Sequence, residues 1–139
     1  MKRLCWRADN DWRAMKHHKY HAKRTRVGNH WFPSRAEAAR YCQLLAAEQS
    51  MQIKDLSLQP KVMLAKGIAY RPDFTYLQRD RGATGGWRRI WEDVKGCETP
   101  VFKLKLKLWQ ERMPNQVLKV IKMRSRDVNL WLGIGAVGA

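Results

Sequence analysis

Residues 88–96 read "RRIWEDVKG", and residues 71–76 read "RPDFTY". Apolar and polar residues alternate along the first stretch, which predicts a strand. Trp91, Asp93 and Lys95 then share one face, and Ile90, Glu92 and Val94 share the other. Pro72 disfavours helix at the residue before it, so "AYRPDFTYL" (69–77) is expected to be a second strand. The polar, Gly-rich "QRDRGATGGWR" between them reads as a hairpin connection. If the two strands pair, Asp73 and Asp93 converge near one end of the hairpin. Like charges brought together repel, so a fold tolerates them only with a cation between them. Mg²⁺ (or Mn²⁺) suits such a place, because it takes few protein carboxylates and keeps several waters. Lys95 falls on the face of Asp93, where a compact ammonium can sit beside an attacking water or a scissile phosphate. That set polarises a phosphodiester and stabilises the negative charge that develops on it.

A third carboxylate is expected from the helix that precedes these strands. "FPSRAEAARYCQLLAAEQ" (32–49) carries Ser34 and, three residues on, Glu37, a capping-box pattern that starts a helix at about 35–49. Ala38, Tyr41, Cys42 and Leu45 make its expected apolar stripe. Glu37 is the first choice for the site. Its competing role is to fold back on its own backbone as a cap. Glu48 is the fallback, on nearly the same face but roughly 16 Å further along.

Between helix and hairpin, "IKDLSLQPKVMLAKG" (53–67) reads as a loop and then a strand near 60–66. Beyond the hairpin, "ETPVFKLKLKLWQERMPN" (98–115) is a helix by its punctuation: Thr99 caps, Pro100 suits the first turn and Pro114 stops it. Val101, Leu104 and Leu108 share one of its faces. "QVLKVIK" (116–122) is a final strand. The expected fold is mixed α/β, in the order helix, three strands, helix, strand. Residues 1–30 form a basic arm, 31–125 the domain, and 126–139 an apolar tail, packed or frayed.

The chain has 139 residues, enough for one domain with one modest core. Apolar residues make up 45%, which argues against disorder. Lys and Arg number 28 against 12 Asp and Glu, a formal charge of +16. So lopsided a balance favours a polyanionic partner, nucleic acid first. A basic structural protein or an anionic-membrane binder stays open. Lys19, Lys23 and Arg24 in the arm, and Lys103, Lys105 and Lys107 on the second helix, are the candidate phosphate contacts. Trp12 and Trp31 could stack on an unpaired base. The three cysteines, Cys5, Cys42 and Cys97, form no CxxC clip, which argues against a disulfide framework or a zinc site and fits a reducing compartment. No signal-peptide core follows the basic start, and the apolar "LWLGIGAVGA" is too short to span a bilayer. The expectation is an intracellular protein with no membrane partner.

The ordered motifs "SRAEAARY", "IKDLSLQP", "YRPDFTY" and "EDVKGCETPVFKLKLKLW" resemble the PD-(D/E)XK nuclease superfamily, and within it small phage-encoded nucleases of the junction-resolving kind. Pro72-Asp73 stands for the first element and Asp93-Val94-Lys95 for the second, over roughly residues 19–122. The resemblance implies a restriction-endonuclease-like core. It implies that Asp73 and Asp93 bind the metal with help from the backbone carbonyl of Val94. Glu37 lies in the metal's inner or outer shell, and Lys95 positions the nucleophilic water. Gln59 matches a recurrent position beside the site. The second acid is Asp rather than the commoner Glu, which shortens that arm. Phage origin would place the protein in the cytoplasm of a bacterial host, in recombination or repair.

Three functions follow as expectations. The first is a Mg²⁺-dependent endonuclease on branched, Holliday-junction-type DNA, working as a homodimer because two strands need two sites. The second is a non-catalytic nucleic-acid-binding protein in which the acids are structural. The third is a nuclease subunit of a transposition or packaging complex, docking through its apolar tail.

Overall fold

Two hydroxyls start the two long helices where the sequence places them. The computed structural model describes residues 23–82 and 85–133. Ser34 Oγ accepts the Glu37 N–H at 3.2 Å, and α1 runs Arg35–Gln49. Thr99 Oγ1 accepts the Phe102 N–H at 3.1 Å, and α2 runs Pro100–Arg112 with proline in its first turn. The alternating Lys-Leu run is therefore helical. Its buried side is not the predicted one: Phe102 and Trp109 face the core, while Val101 and Leu104 are exposed. Seven residues apart, Phe102 and Trp109 lie two turns from each other on one stripe.

The strands are β1 (Thr25–Val27), β2 (His30–Phe32), β3 (Ile53–Leu58), β4 (Val62–Ala65), β5 (Ile68–Tyr70), β6 (Phe74–Arg79), β7 (Trp87–Val94) and β8 (Val117–Ile121), with a last helix α3 (Ser125–Leu132). The central sheet has the order β3-β6-β7-β8. Its first three strands are antiparallel, and β8 lies parallel to β7. A parallel neighbour needs a crossover, and α2 supplies it. The fold is mixed α/β, as the order of elements predicted.

Two strands differ from expectation. Residues 60–66 do not enter the central sheet; β4 pairs with β5 in a separate hairpin. The strand beside β6 is β3, where the sequence predicts a loop. Its register slips between Lys54 and Ser57, and Asp55 there has φ of 58°. A bulge adds a residue, so the inward residues Ile53, Leu56 and Leu58 do not alternate. The expected single strand 69–77 is likewise two, β5 and β6, parted at Arg71–Asp73.

Apolar side chains pack on both faces of this sheet. Ala38 and Leu44 of α1 meet Phe74, Tyr76, Ile90 and Val94 on one side. Phe102 and Trp109 of α2 meet Tyr70, Trp91 and Leu118 on the other. Each large apolar group buried there contributes roughly 2–3 kcal/mol. Residues assigned to the arm and tail also take part. β1 pairs with β2 across the boundary set at residue 30, and Val27 packs on the α1 side. α3 occupies the start of the tail, with Val128 buried and Leu132 on the same core. Residues 1–22 and 134–139 lie outside the described residues. No described helix is long and apolar enough to cross a membrane.

Candidate active site

The β6–β7 register sets Phe74 opposite Glu92. Asp73 precedes that pair, and the charge of Asp93 bears on its carboxyl. The Asp73 N–H donates to the Glu92 carbonyl at 2.9 Å, so the regular register ends at Phe74. Like charges held this close repel each other. Asp93 is 1% exposed. The Tyr70 hydroxyl donates to its Oδ2. Its Oδ1 lies 3.0 Å from Lys95 Nζ. That contact lacks hydrogen-bond geometry, and Oδ1 is the one buried side-chain polar atom without a hydrogen-bond partner among the described residues. Lys95 Nζ is also 4.7 Å from the centre of the Phe102 ring. Asp73 Oδ2 accepts the Val94 N–H at 2.7 Å. Val94 thus meets the site through its N–H; the role expected of its carbonyl is not part of this bonding.

Glu37 belongs to the same cluster. Burial, then the negative charge of Asp93, pushes its carboxyl up to about 7, while Lys95 pulls the other way. Asp73 is also pushed well above the carboxylate range, first by burial, then by the charges of Glu37 and Asp93, against the Val94 N–H bond. Each acid therefore senses the others. The capping box is half formed: Ser34 accepts the Glu37 N–H, and no bond from the Glu37 carboxyl back to Ser34 occurs among the described residues. The carboxyl is turned to the site. Glu48, the alternative, is remote from it, since its Oε2 accepts the Leu56 N–H of β3 at 3.3 Å. Gln59 meets Asp73 through the backbone, its N–H donating to the Asp73 carbonyl at 2.9 Å. Its φ is 47° and its side chain is exposed.

Among the described residues, no three His, Cys, Asp or Glu side chains have the spacing of a complete metal cage. The acids nevertheless suit a hard divalent ion. Mg²⁺ needs only one or two carboxylates and fills its other positions with water. An Asp93 Oδ1 without a hydrogen bond and the mutual repulsion of three acids are what such an ion would relieve.

Two partners were missed in the sequence. Tyr70 holds Asp93, and burial and that carboxylate push its phenol far up, so it remains a donor. Arg40 holds Glu92 with two 2.7 Å bonds, joined by the Tyr76 hydroxyl. Neither pairing has a local signal: Arg40 and Glu92 are 52 residues apart in the chain. The alternation did predict that Glu92 faces away from Asp93, and it does.

A cleft of about 440 Å³ adjoins the acids, lined by Arg71, Lys95, Thr99, Phe102 and Lys105 among others. Lys103 and Lys107 are exposed on α2, with Lys105 half-buried between them. Lys23 and Arg24 are exposed ahead of β1, and the Arg24 guanidinium lies 4.8 Å from the Trp31 ring. Lys19 and Trp12 fall outside the described residues. Cys42 is a free thiol.

The molecule is thus a basic α/β domain with a buried acidic cluster at one end of its two central strands. Residues 17–127 match the family described as "Protein of unknown function (DUF1064)", and the chain belongs to that family. No curated protein and no solved structure matches it.

Proposed function

We propose that this protein is a metal-dependent DNA endonuclease with a restriction-endonuclease-like core, acting on branched DNA as a homodimer. One observation carries the reading: Glu37, Asp73 and Asp93 gather beside Lys95, with Asp93 Oδ1 buried, ion-paired to Lys95 and without a hydrogen bond. The order α1, three antiparallel strands, α2 and a parallel fourth strand agrees with the core that the motifs imply. The charge of +16 supplies attraction for a polyanion. Asp73 and Asp93, with Glu37 behind them, would hold Mg²⁺ or Mn²⁺. Such an ion, when bound, polarises the phosphodiester and makes water more acidic. Tyr70 keeps Asp93 oriented, and Lys95 offers its ammonium to the charge that develops on phosphate.

The test is a panel of labelled four-way junctions, flaps, nicked and linear duplexes, incubated with Mg²⁺ or Mn²⁺. Wild type is expected to cut the junction. Asp73→Asn and Lys95→Ala lower the rate by about a hundredfold or more. Asp73→Asn keeps or improves binding, because it removes negative charge near phosphate. A wild type inert on every substrate with either ion overturns the reading. The ion pair between Lys95 and Asp93 favours the second reading, a non-catalytic nucleic-acid-binding protein whose acids are structural. Under it, Asp73→Asn changes binding and nothing else.

A further inference from the structure

The acidic cluster uses only one end of β7. Trp87, Arg89, Trp91 and Asp93 point to the same face, and α2 covers that face over Trp91 but ends at Arg112. Past that end the face is open among the described residues, with Lys54, Arg79 and Trp87 exposed. The register brings Arg79 opposite Trp87, and Lys54 and Arg89 to either side of Leu77, all on this open face. Lys54 Nζ lies 4.2 Å and the Arg79 guanidinium 5.2 Å from the centre of the Trp87 ring. Arg89 is paired to Asp55 at 2.8 Å, so the bulge acid offsets one cation and leaves the others free to act. A cleft of about 620 Å³ continues the patch under the end of α2, with Arg89, Arg112, Trp91 and Gln116 in its wall.

We propose that this face binds the phosphate backbone of a duplex DNA arm, away from the bond that is cut. The proposal rests on the nucleic-acid reading above for its partner, and not on hydrolysis. Charge complementarity carries it: Lys54, Arg79 and Arg112 are exposed, and Asp55 is already engaged. Two of these cations are steadied over an aromatic ring, so less side-chain freedom is lost on meeting phosphate. Six residues of strand separate Trp87 from Asp93, about 20 Å. A duplex that reaches both places must extend roughly six base pairs, at about 3.4 Å each, from the reacting phosphate.

The test measures DNA binding by fluorescence anisotropy in EDTA, where no strand is cut. Two substrates are compared, a junction with arms of four base pairs and one with arms of fifteen. Lys54→Ala/Arg79→Ala/Arg112→Ala is expected to weaken binding of the long-armed DNA at least tenfold. It should also flatten the slope of log affinity against log salt by about 2–3, near 0.9 per lost contact. Binding of the short-armed DNA stays unchanged. Arg88→Ala/Lys122→Ala/Arg126→Ala removes the same charge elsewhere and serves as control. The single exposed change Arg79→Glu repeats the test should the triple variant fold poorly. Equal losses on both arm lengths, an equal loss in the control, or no loss at all overturns the proposal. Because no divalent ion is present, a protein that binds long arms yet never cuts sinks only the hydrolytic reading.

Discussion

Glu92 and Asp93 are adjacent in the chain and buried alike, at 0% and 1% exposure. They face opposite sides of β7, and their surroundings could hardly differ more. Glu92 accepts two bonds from Arg40 and one from Tyr76. Asp93 accepts one from Tyr70, faces Lys95 off-axis, and lies close enough to Asp73 for their charges to interact. Burying a charge is costly unless it is paired and hydrogen-bonded. The saturated acid is therefore part of the scaffold, and the undersatisfied one is available to a ligand. Sequence type and burial are the same for both; only the count of partners separates them.

Arg40→Ala tests the scaffold side and should have the largest effect. It strands the Glu92 carboxylate in the core, and removing one partner of a buried pair typically costs about 3–5 kcal/mol. Urea unfolding should reveal that loss with little change in slope. A loss below about 1 kcal/mol would place Glu92 among ordinary surface ion pairs and erase the contrast.

The acidic side predicts a pH dependence of the opposite kind. The folded Glu37 and Asp73 hold protons more tightly than the unfolded chain does. Their contribution is then fully present below the ordinary carboxylate range and is lost as pH rises through about 7 for Glu37. Without divalent ions, stability should fall by roughly 2–3 kcal/mol between pH 5 and pH 8. Mg²⁺ should restore part of it at pH 8. A metal-free stability that climbs with pH over this range contradicts the cluster. Glu37→Gln sharpens the point with a smaller effect: it should raise stability at pH 8 by roughly 1–2 kcal/mol and flatten the slope.

Much of this was legible in the chain, and the gaps have physical causes. Ser34, Thr99 and Pro100 give α1 and α2 because capping is local chemistry. Alternation in "WEDV" separates Glu92 from Asp93 because side-chain direction on a strand is fixed by parity. β3 was not legible, since the Asp55 bulge breaks the alternation that would announce it. α3 was hidden in a run read only for its apolar content. The burial of Phe102 and Trp109, rather than Val101 and Leu104, was decided by which side of α2 meets Tyr70 and Trp91. Arg40 and Tyr70 were missed for the same reason: each serves a carboxylate distant in sequence, and only the assembled sheet brings them together.

The finest test uses the two tyrosines, one on each acid. Tyr76→Phe removes a single donor from a carboxylate that keeps both Arg40 bonds, so it should cost only about 1 kcal/mol. It should leave any response to Mg²⁺ unchanged. Tyr70→Phe removes the phenol that donates to Asp93 Oδ2. Groups that orient a metal ligand typically contribute about 10–100-fold to affinity. Tyr70→Phe should therefore raise the Mg²⁺ concentration that half-saturates the thermal shift by about tenfold, with a change in metal-free stability no larger than that of Tyr76→Phe. The readout is melting temperature against Mg²⁺, so it needs no substrate. If both variants lose the Mg²⁺ response alike, or neither does, the two faces of β7 do not divide scaffold from site.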